Sequence, residues 1–364
     1  MKTAAVNGGL VGLSRKPARW RHPCVFRTTI TVKTIEHCPL CESDTGDSAR
    51  LLFESADYIS HEVFNVLKCK RCGLIYTDSC PDQESEFRKY YPKEEYYGSE
   101  GGKRFISPLE KMVFAFRLAR AKRVLNFRTK GCALDIGCGR GLFLRLLKSK
   151  GWKCYGTELS EALASFIRDH HEIDVRTSPV ENCRFADKMF DLVSIYHVLE
   201  HISNPKDTLR EARRIIRDDG LLIIGVPNAA SFQSLLSGSK WFHLDVPRHA
   251  VHFSPHTLRR TVEDCGFEVV SIEGWSAEYD PYGLIQSMLN MLGCRKNLLY
   301  QLLRDRSIDG ANAKTLLYDV PLSLVLPVLL IIPSVVLELV LARFGLNGTL
   351  EIHCRPSSRN AISG

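Results

Sequence analysis

The chain has 364 residues, 45% of them hydrophobic, with 49 basic against 41 acidic side chains and a formal net charge of +8. That length and apolar content build a large core in about two domains, which excludes a disordered chain. Much of the charge excess is local: residues 1–35 carry Lys2, Arg15, Lys16, Arg19, Arg21, Arg27 and Lys33 with no Asp or Glu. With little Ser and no amphipathic period, this stretch reads as a solvated basic tail rather than a transit peptide.

Thirteen cysteines, an odd number, are not spaced as a disulfide framework and imply a reducing compartment, hence a cytoplasmic protein. Four of them are paired as Cys38-Pro-Leu-Cys41 and, after 27 intervening residues, Cys69-Lys-Arg-Cys72 followed by Gly73. Two C-x-x-C turns aim four thiolates at one ion, so residues 36–85 are expected to be a zinc ribbon. A closed four-thiolate shell leaves no place for a substrate water, and the metal is structural, stapling a segment too small to be stable alone.

Residues 86–130 begin with a Tyr-rich linker, Tyr90 to Tyr97, and continue into a helix predicted over 108–130, with apolar positions at helical spacing and Arg or Lys elsewhere. At residue 131 the pattern changes. Ala133-Leu134-Asp135-Ile136 is a short strand running into Gly137-Cys138-Gly139-Arg140-Gly141 and then a helical pattern from Leu142. A strand, a glycine turn and a helix start bring backbone close to a ligand. A second strand over 152–157 ends in Glu158, and an acidic residue there accepts hydrogen bonds from ribose hydroxyls. The G-x-G-x-G spacing departs from the dinucleotide fingerprint. An acidic Asp135 two residues before the first glycine would repel a pyrophosphate and pair with an ammonium, so the ligand should carry an amine and a ribose.

Residues 131–283, with a last strand near 349–355, resemble the class I methyltransferases that use S-adenosylmethionine. The first motif is Leu134 to Gly141; Phe190-Asp191-Leu192-Val193-Ser194-Ile195 is similar to the family's fourth strand, and 221–228 to its fifth. The implied fold is α/β, a Rossmann-like seven-stranded sheet preceded by the small zinc ribbon. The resemblance implies that Asp135, Gly137, Cys138, Gly139 and Gly141 surround the methionine part of the cofactor, Glu158 clamps its ribose, Val180 lies near adenine, and Tyr196 and His197 border the methyl group.

His197-Val198-Leu199-Glu200-His201 matches the H-x-x-E-H of one class of zinc peptidases. That chemistry needs the motif inside a helix. Here His197 follows directly on a strand and Asn204-Pro205 closes the segment, so a peptidase is not expected. The stretch 241–254, WFHLDVPRHAVHFS, lies where acceptor pockets sit in the resembled fold. Histidine titrates near neutral pH, which makes His249 the first candidate base and His252 the second, with His197, His201 and Glu200 behind them.

Residues 284–347 form an insertion before the last strand, and 320–337 hold 18 residues without a charge. Pro321, Pro327 and Pro333 interrupt this run, and both its ends must return to the same sheet. The expectation is a hydrophobic lid or a Pro-kinked helical hairpin dipping into one leaflet, with Arg304, Arg306, Lys314 and Arg343 near anionic head groups. Residues 348–364 are the last strand and tail.

The whole pattern resembles bacterial methyltransferases associated with cell-surface polysaccharide and glycolipid assembly, implying a glycan or glycolipid acceptor at the cytoplasmic face of the inner membrane, methylated on a hydroxyl of a lipid-linked or nucleotide-linked sugar. Sugar C-methylation, quinone-type O-methylation, ribosomal or transfer RNA methylation and a membrane-bound scaffold with an inactive domain are the alternatives. Nucleic acid is disfavoured because the basic charge is not interleaved with aromatics.

Overall fold

The computed structural model describes residues 33–81, 89–90, 127–274, 276–305 and 311–358. The basic tail before residue 33, the Tyr-rich run beyond Tyr90, most of the helix expected over 108–130, Arg306 and the side chain of Arg304 lie outside these residues.

The N-terminal part consists of β1 (Lys33–Thr34), a short helix α1 (Thr45–Ser48), β2 (Ala49–Ala56), β3 (Val63–Cys69), β4 (Ile75–Thr77) and β5 (Ser79–Cys80). Its two cysteine turns are built alike. Glu42 N–H donates to the Cys38 carbonyl at 2.9 Å, and Gly73 N–H to the Cys69 carbonyl at 3.0 Å. The residue after each second cysteine takes a left-handed backbone, Glu42 at φ 58° and Gly73 at φ 80°, which glycine adopts without strain.

The larger part alternates β6 (Cys132–Ile136), α2 (Leu142–Lys148), β7 (Lys153–Thr157), α3 (Glu161–His171), β8 (Asp174–Arg176), β9 (Phe190–Tyr196), α4 (Pro205–Ile215) and β10 (Ile216–Pro227). After a short helix α5 (Phe232–Ser237) come β11 (Val251–His252), α6 (Pro255–Asp264), β12 (Phe267–Glu273), α7 (Asp280–Met291), α8 (Leu298–Asp305), α9 (Val320–Ala342) and β13 (Thr349–Pro356). Local sequence sets the helix starts: Ser160 caps α3 by accepting from Leu163 N–H, and Ser254 and Thr257 form a reciprocal capping box ahead of Pro255 in α6.

The seven-stranded sheet has the order β12-β13-β10-β9-β6-β7-β8. β13 pairs antiparallel with both β10 and β12, while β10, β9, β6, β7 and β8 run parallel. Central strands of this kind are covered on both faces and therefore read as unbroken apolar runs; Leu192, Val193 and Ile195 are all fully buried. The order reverses at β6, so the crevice at the carboxyl ends of β6 and β9 is the topological switch point where such sheets bind ligands.

Two sequence expectations change here. The fifth strand starts at Ile216, ahead of the apolar run from Leu221, because it pairs with β9 from Phe190 across an irregularity at Gly220. The insertion carries no hairpin within its apolar run: α9 is one continuous helix through Pro327 and Pro333, preceded by a π-type turn over Thr315–Asp319. Each proline removes one N–H, but an apolar run offers the backbone no side-chain partner to compete with the remaining ladder.

The N-terminal part and the larger part share a sheet. Core strand β11 pairs antiparallel with β4, extending the order β11-β4-β3-β2. Arg248, buried, donates to Asp57 at 2.8 Å and to Asp245 at 2.6 Å, and its guanidinium lies 4.5 Å from the Tyr58 ring centroid.

Candidate active site

The glycine turn after β6 is a left-handed cradle, with Gly137, Gly139 and Gly141 at φ 70°, 53° and 66°. A Cβ at Gly137 would strike Val198 at 2.3 Å, and one at Gly141 would press on Ile167 at 3.1 Å; at Gly139 it would point into open space. The turn is tied to the next strand by Cys138 N–H donating to the Thr157 carbonyl at 2.9 Å. Cys138 itself is buried, which pushes its thiol well above the usual range and leaves it a neutral packing group.

Two carboxylates stand at the carboxyl ends of adjacent strands. Glu158 accepts from Gly139 N–H at 2.9 Å and from Ser160 N–H at 3.0 Å, so backbone holds it beside the cradle. Burial raises its carboxyl pKa, a shift that these N–H donors oppose. Asp135, buried, accepts from the Ser194 hydroxyl of β9 at 2.6 Å. A glycine cradle open at Gly139 with two carboxylates beside it fits a ligand bearing an ammonium and vicinal hydroxyls, and fits S-adenosylmethionine. Val180 is buried in the short turn Val180–Asn182. Tyr196 ends β9 and its hydroxyl donates to Glu351 of β13.

Past β9 the chain turns sharply. His197 takes φ 51° and its N–H donates to the Gly225 carbonyl at 2.8 Å; Leu199–His201 is a single tight turn. The motif is therefore not helical, as a peptidase would require. His197 Nδ1 lies 3.2 Å from Glu200 Oε1, and its ring packs on Tyr279 with centroids 4.3 Å apart. Burial opposes ionisation of Glu200, but the hydrogen bond and charge of His197 prevail and bring it down to about 2. An ionised Glu200 orients His197 so that Nδ1 carries the proton and Nε2 is the accepting nitrogen.

The other candidate bases sit deeper. His249 is buried, its Nδ1 2.8 Å from the His243 carbonyl. His252 lies in β11, 3.2 Å from Thr77 Oγ1 of the ribbon, and burial lowers its pKa to about 3. Its ring thus points toward the N-terminal part. His201 is lowered to about 4 by burial and by His249, and its Nδ1 is 3.0 Å from the Arg248 carbonyl. His197 moves ahead of both His249 and His252, since it alone of the three is only half-buried. Tyr279, Asp245 and Arg248 were missed as site neighbours; Arg248, a charged residue in an apolar run, was the available signal.

In the ribbon, Cys38 and Cys72 Sγ are 3.5 Å apart, as are Cys41 and Cys69 Sγ. All four thiols lie within 4.8 Å of one another. A tetrahedral shell with bonds of about 2.3 Å has edges of about 3.8 Å, so the four converge as such an ion requires.

A family profile described as a methyltransferase domain matches residues 112–272. The chain is 25% identical over 171 residues to a ubiquinone biosynthesis O-methyltransferase of Glaesserella parasuis, covering 42% of this chain and 72% of that one. It is 35% identical over 139 residues to an uncharacterised protein of Methanocaldococcus jannaschii, covering 38% of this chain and 65% of the relative, just under two thirds. A solved S-adenosylmethionine-dependent methyltransferase of Archaeoglobus fulgidus aligns over 75% of this chain and all of its own, at 22% identity and a TM-score of 0.43. The chain carries a class I S-adenosylmethionine-dependent methyltransferase domain.

Proposed function

We propose that the protein methylates a hydroxyl group on a lipid-linked or nucleotide-linked sugar of cell-surface glycan assembly, the lipid-linked form being favoured. The observation that carries this reading is α9. Its polar residues Ser323, Ser334 and Glu338 are buried against the protein, while Leu324, Val325, Val328, Leu329, Ile332 and Val336 are exposed. Tyr279, which packs on His197, directly precedes α7, and α7 packs along α9, so the apolar surface is joined to the acceptor side of the site through α7. The names of the ubiquinone O-methyltransferase relatives favour a second acceptor, a phenolic hydroxyl on a prenylated ring, which is also lipid-tailed.

Asp135, the cradle and Glu158 would hold the cofactor, which supplies an electrophilic methyl group on a sulfonium. The protein's own work is to orient the acceptor and take its proton: Glu200 holds His197 with Nε2 as the accepting nitrogen for that hydroxyl. In the ribbon, the four cysteines would hold a structural zinc.

The test is to incubate purified protein and radiolabelled S-adenosylmethionine with lipid, soluble sugar-nucleotide and RNA fractions from the source organism. Label in the lipid or sugar-nucleotide fraction is expected. Label only in RNA would make the ribbon, not the helix, the acceptor-binding element. No label in any fraction, together with absent cofactor binding by calorimetry, would leave a scaffold.

A further inference from the structure

We propose that Glu200, His201 and His249 form a second metal site, separate from the four cysteines, for a divalent ion of the zinc class. One ligand atom from each of the three lies within 4.8 Å of the others. A shell with bonds of about 2.1 Å has edges of about 3.4 Å, so an ion would draw the three side chains inward.

The second observation is Glu200 Oε2. Glu200 is 1% exposed, its Oε1 is the atom 3.2 Å from His197 Nδ1, and its Oε2 has no hydrogen-bond partner. A buried carboxylate oxygen left without a donor is costly unless something cationic faces it. Near this carboxylate lies a pair of imidazoles, the His201 and His249 rings, with centroids 4.6 Å apart.

Both rings are oriented as metal ligands are. The Nδ1 atoms of His201 and His249 lie 3.0 Å and 2.8 Å from backbone carbonyls of Arg248 and His243, which fixes each tautomer with Nδ1 protonated and leaves Nε2 as the ligating atom. A hydrogen bond from the second ring nitrogen to a carbonyl is the usual support behind a histidine that binds metal. Asp245, 4.0 Å from His249 Nε2, accepts from Arg248 with both of its oxygens. Two imidazole nitrogens and one carboxylate oxygen suit zinc and its first-row neighbours rather than magnesium or calcium, which take oxygen shells. Three protein ligands leave a further coordination position.

An ion here would join the turn after β9 to the loop ahead of β11, two segments already tied by Ala250 N–H donating to the Glu200 carbonyl at 2.8 Å. Through the shared Glu200 it would also fix the position of His197. The site does not depend on the identity of the acceptor.

The experiment uses the full chain, stripped with a chelator and reloaded with cobalt(II). Wild-type protein should take up two equivalents: one with intense sulfur-to-cobalt absorption and one with only weak visible bands. His249→Gln and Glu200→Gln should each lose the weak-band equivalent and keep the thiolate one; Cys38→Ser should do the reverse. Cofactor affinity by calorimetry reports whether each variant is folded. A wild-type stoichiometry of one with thiolate absorption alone would overturn the proposal even if every variant failed to fold, and so would an undiminished second equivalent in folded His249→Gln. Two equivalents without cofactor binding would instead overturn the methyl-transfer reading and leave the metal site standing.

Discussion

Glu158 and Asp135 differ in how safely they can be removed. Glu158 accepts from two N–H groups at the edge of the cradle, at 2.9 Å and 3.0 Å, positions that water can take over. Glu158→Ala should therefore weaken cofactor binding at least tenfold, about 1.4 kcal/mol, with an unchanged circular dichroism spectrum; binding within twofold of wild type would move the ribose contact elsewhere. Asp135 accepts from a Ser194 hydroxyl that is fully buried. Asp135→Ala leaves that donor only the Leu134 carbonyl at 3.4 Å, a loss of about 1 kcal/mol, whereas Asp135→Asn keeps an acceptor and removes only the charge. The Asn variant should lose cofactor affinity at near wild-type stability, and calorimetry beside a urea titration separates the two effects. Both residues are picked out in the sequence by local pattern, Asp135 just ahead of the glycine turn and Glu158 at the end of the next strand. The pairing of Glu200 with His249 is not, since those residues meet only after 48 residues of chain have formed α4, β10 and α5.

At the scale of elements, the catalytic part and the ribbon are joined by one buried guanidinium. Arg248→Met would leave Asp57 and Asp245 facing each other without their cation, a loss of about 3–5 kcal/mol readable in urea denaturation; a change below about 1 kcal/mol would mean that the β11 pairing and the hydrogen bonds around Thr77 and Ser55 hold the two parts without it. A second junction links α9 to the core. Glu338 accepts from Gln233 at 3.1 Å and from Gly348 N–H at 3.3 Å, and burial followed by the nearby Asp280 raises its pKa from 4.5 to about 8. Because the folded value is the higher one, the folded chain holds an extra proton between these pH values. Its contribution is fully present below about pH 4.5 and is lost as pH rises toward 8. The span corresponds to about 2–4 kcal/mol. Glu338→Gln should flatten stability between pH 5 and pH 8, with the slope as the readout because the amide also changes the Gly348 hydrogen bond; an unaltered slope would show that Glu338 ionises freely. The prolines of α9 made the sequence suggest a break, yet they sit inside a helix whose buried stripe is set by Ser323, Ser334 and Glu338, a spacing visible only once the helix is known to continue.

For the whole molecule the decisive feature is what α9 presents outward. Thr315–Ala342 is the one helical stretch among the described residues long and apolar enough to cross a membrane. It cannot be judged by length alone, because α9 packs along α7, with Leu322, Leu326 and Leu330 against Ile285 and Leu289, and both ends return to the sheet through β12 and β13. A helix fastened along its length lies on a surface rather than through it. On a wheel of 100° per residue, its exposed apolar positions cover roughly 240°, wider than the stripe of about 100° that a helix buries against a protein core. Asp319 and Glu338 are turned inward, whereas Lys314 and Arg343, at the two ends, are exposed. A broad apolar face without acids and with basic ends matches the interfacial zone of an anionic bilayer, which is the occupant we propose. Val328→Lys with Ile332→Lys removes two exposed apolar side chains from the middle of that face without touching α7. The double variant should lose at least tenfold in cosedimentation with vesicles containing phosphatidylglycerol while keeping wild-type cofactor affinity. If wild-type protein ignores the vesicles and light scattering instead finds a dimer that the two lysines dissociate, the face is covered by a second copy of the chain, and the lipid-tailed acceptor loses its main physical support.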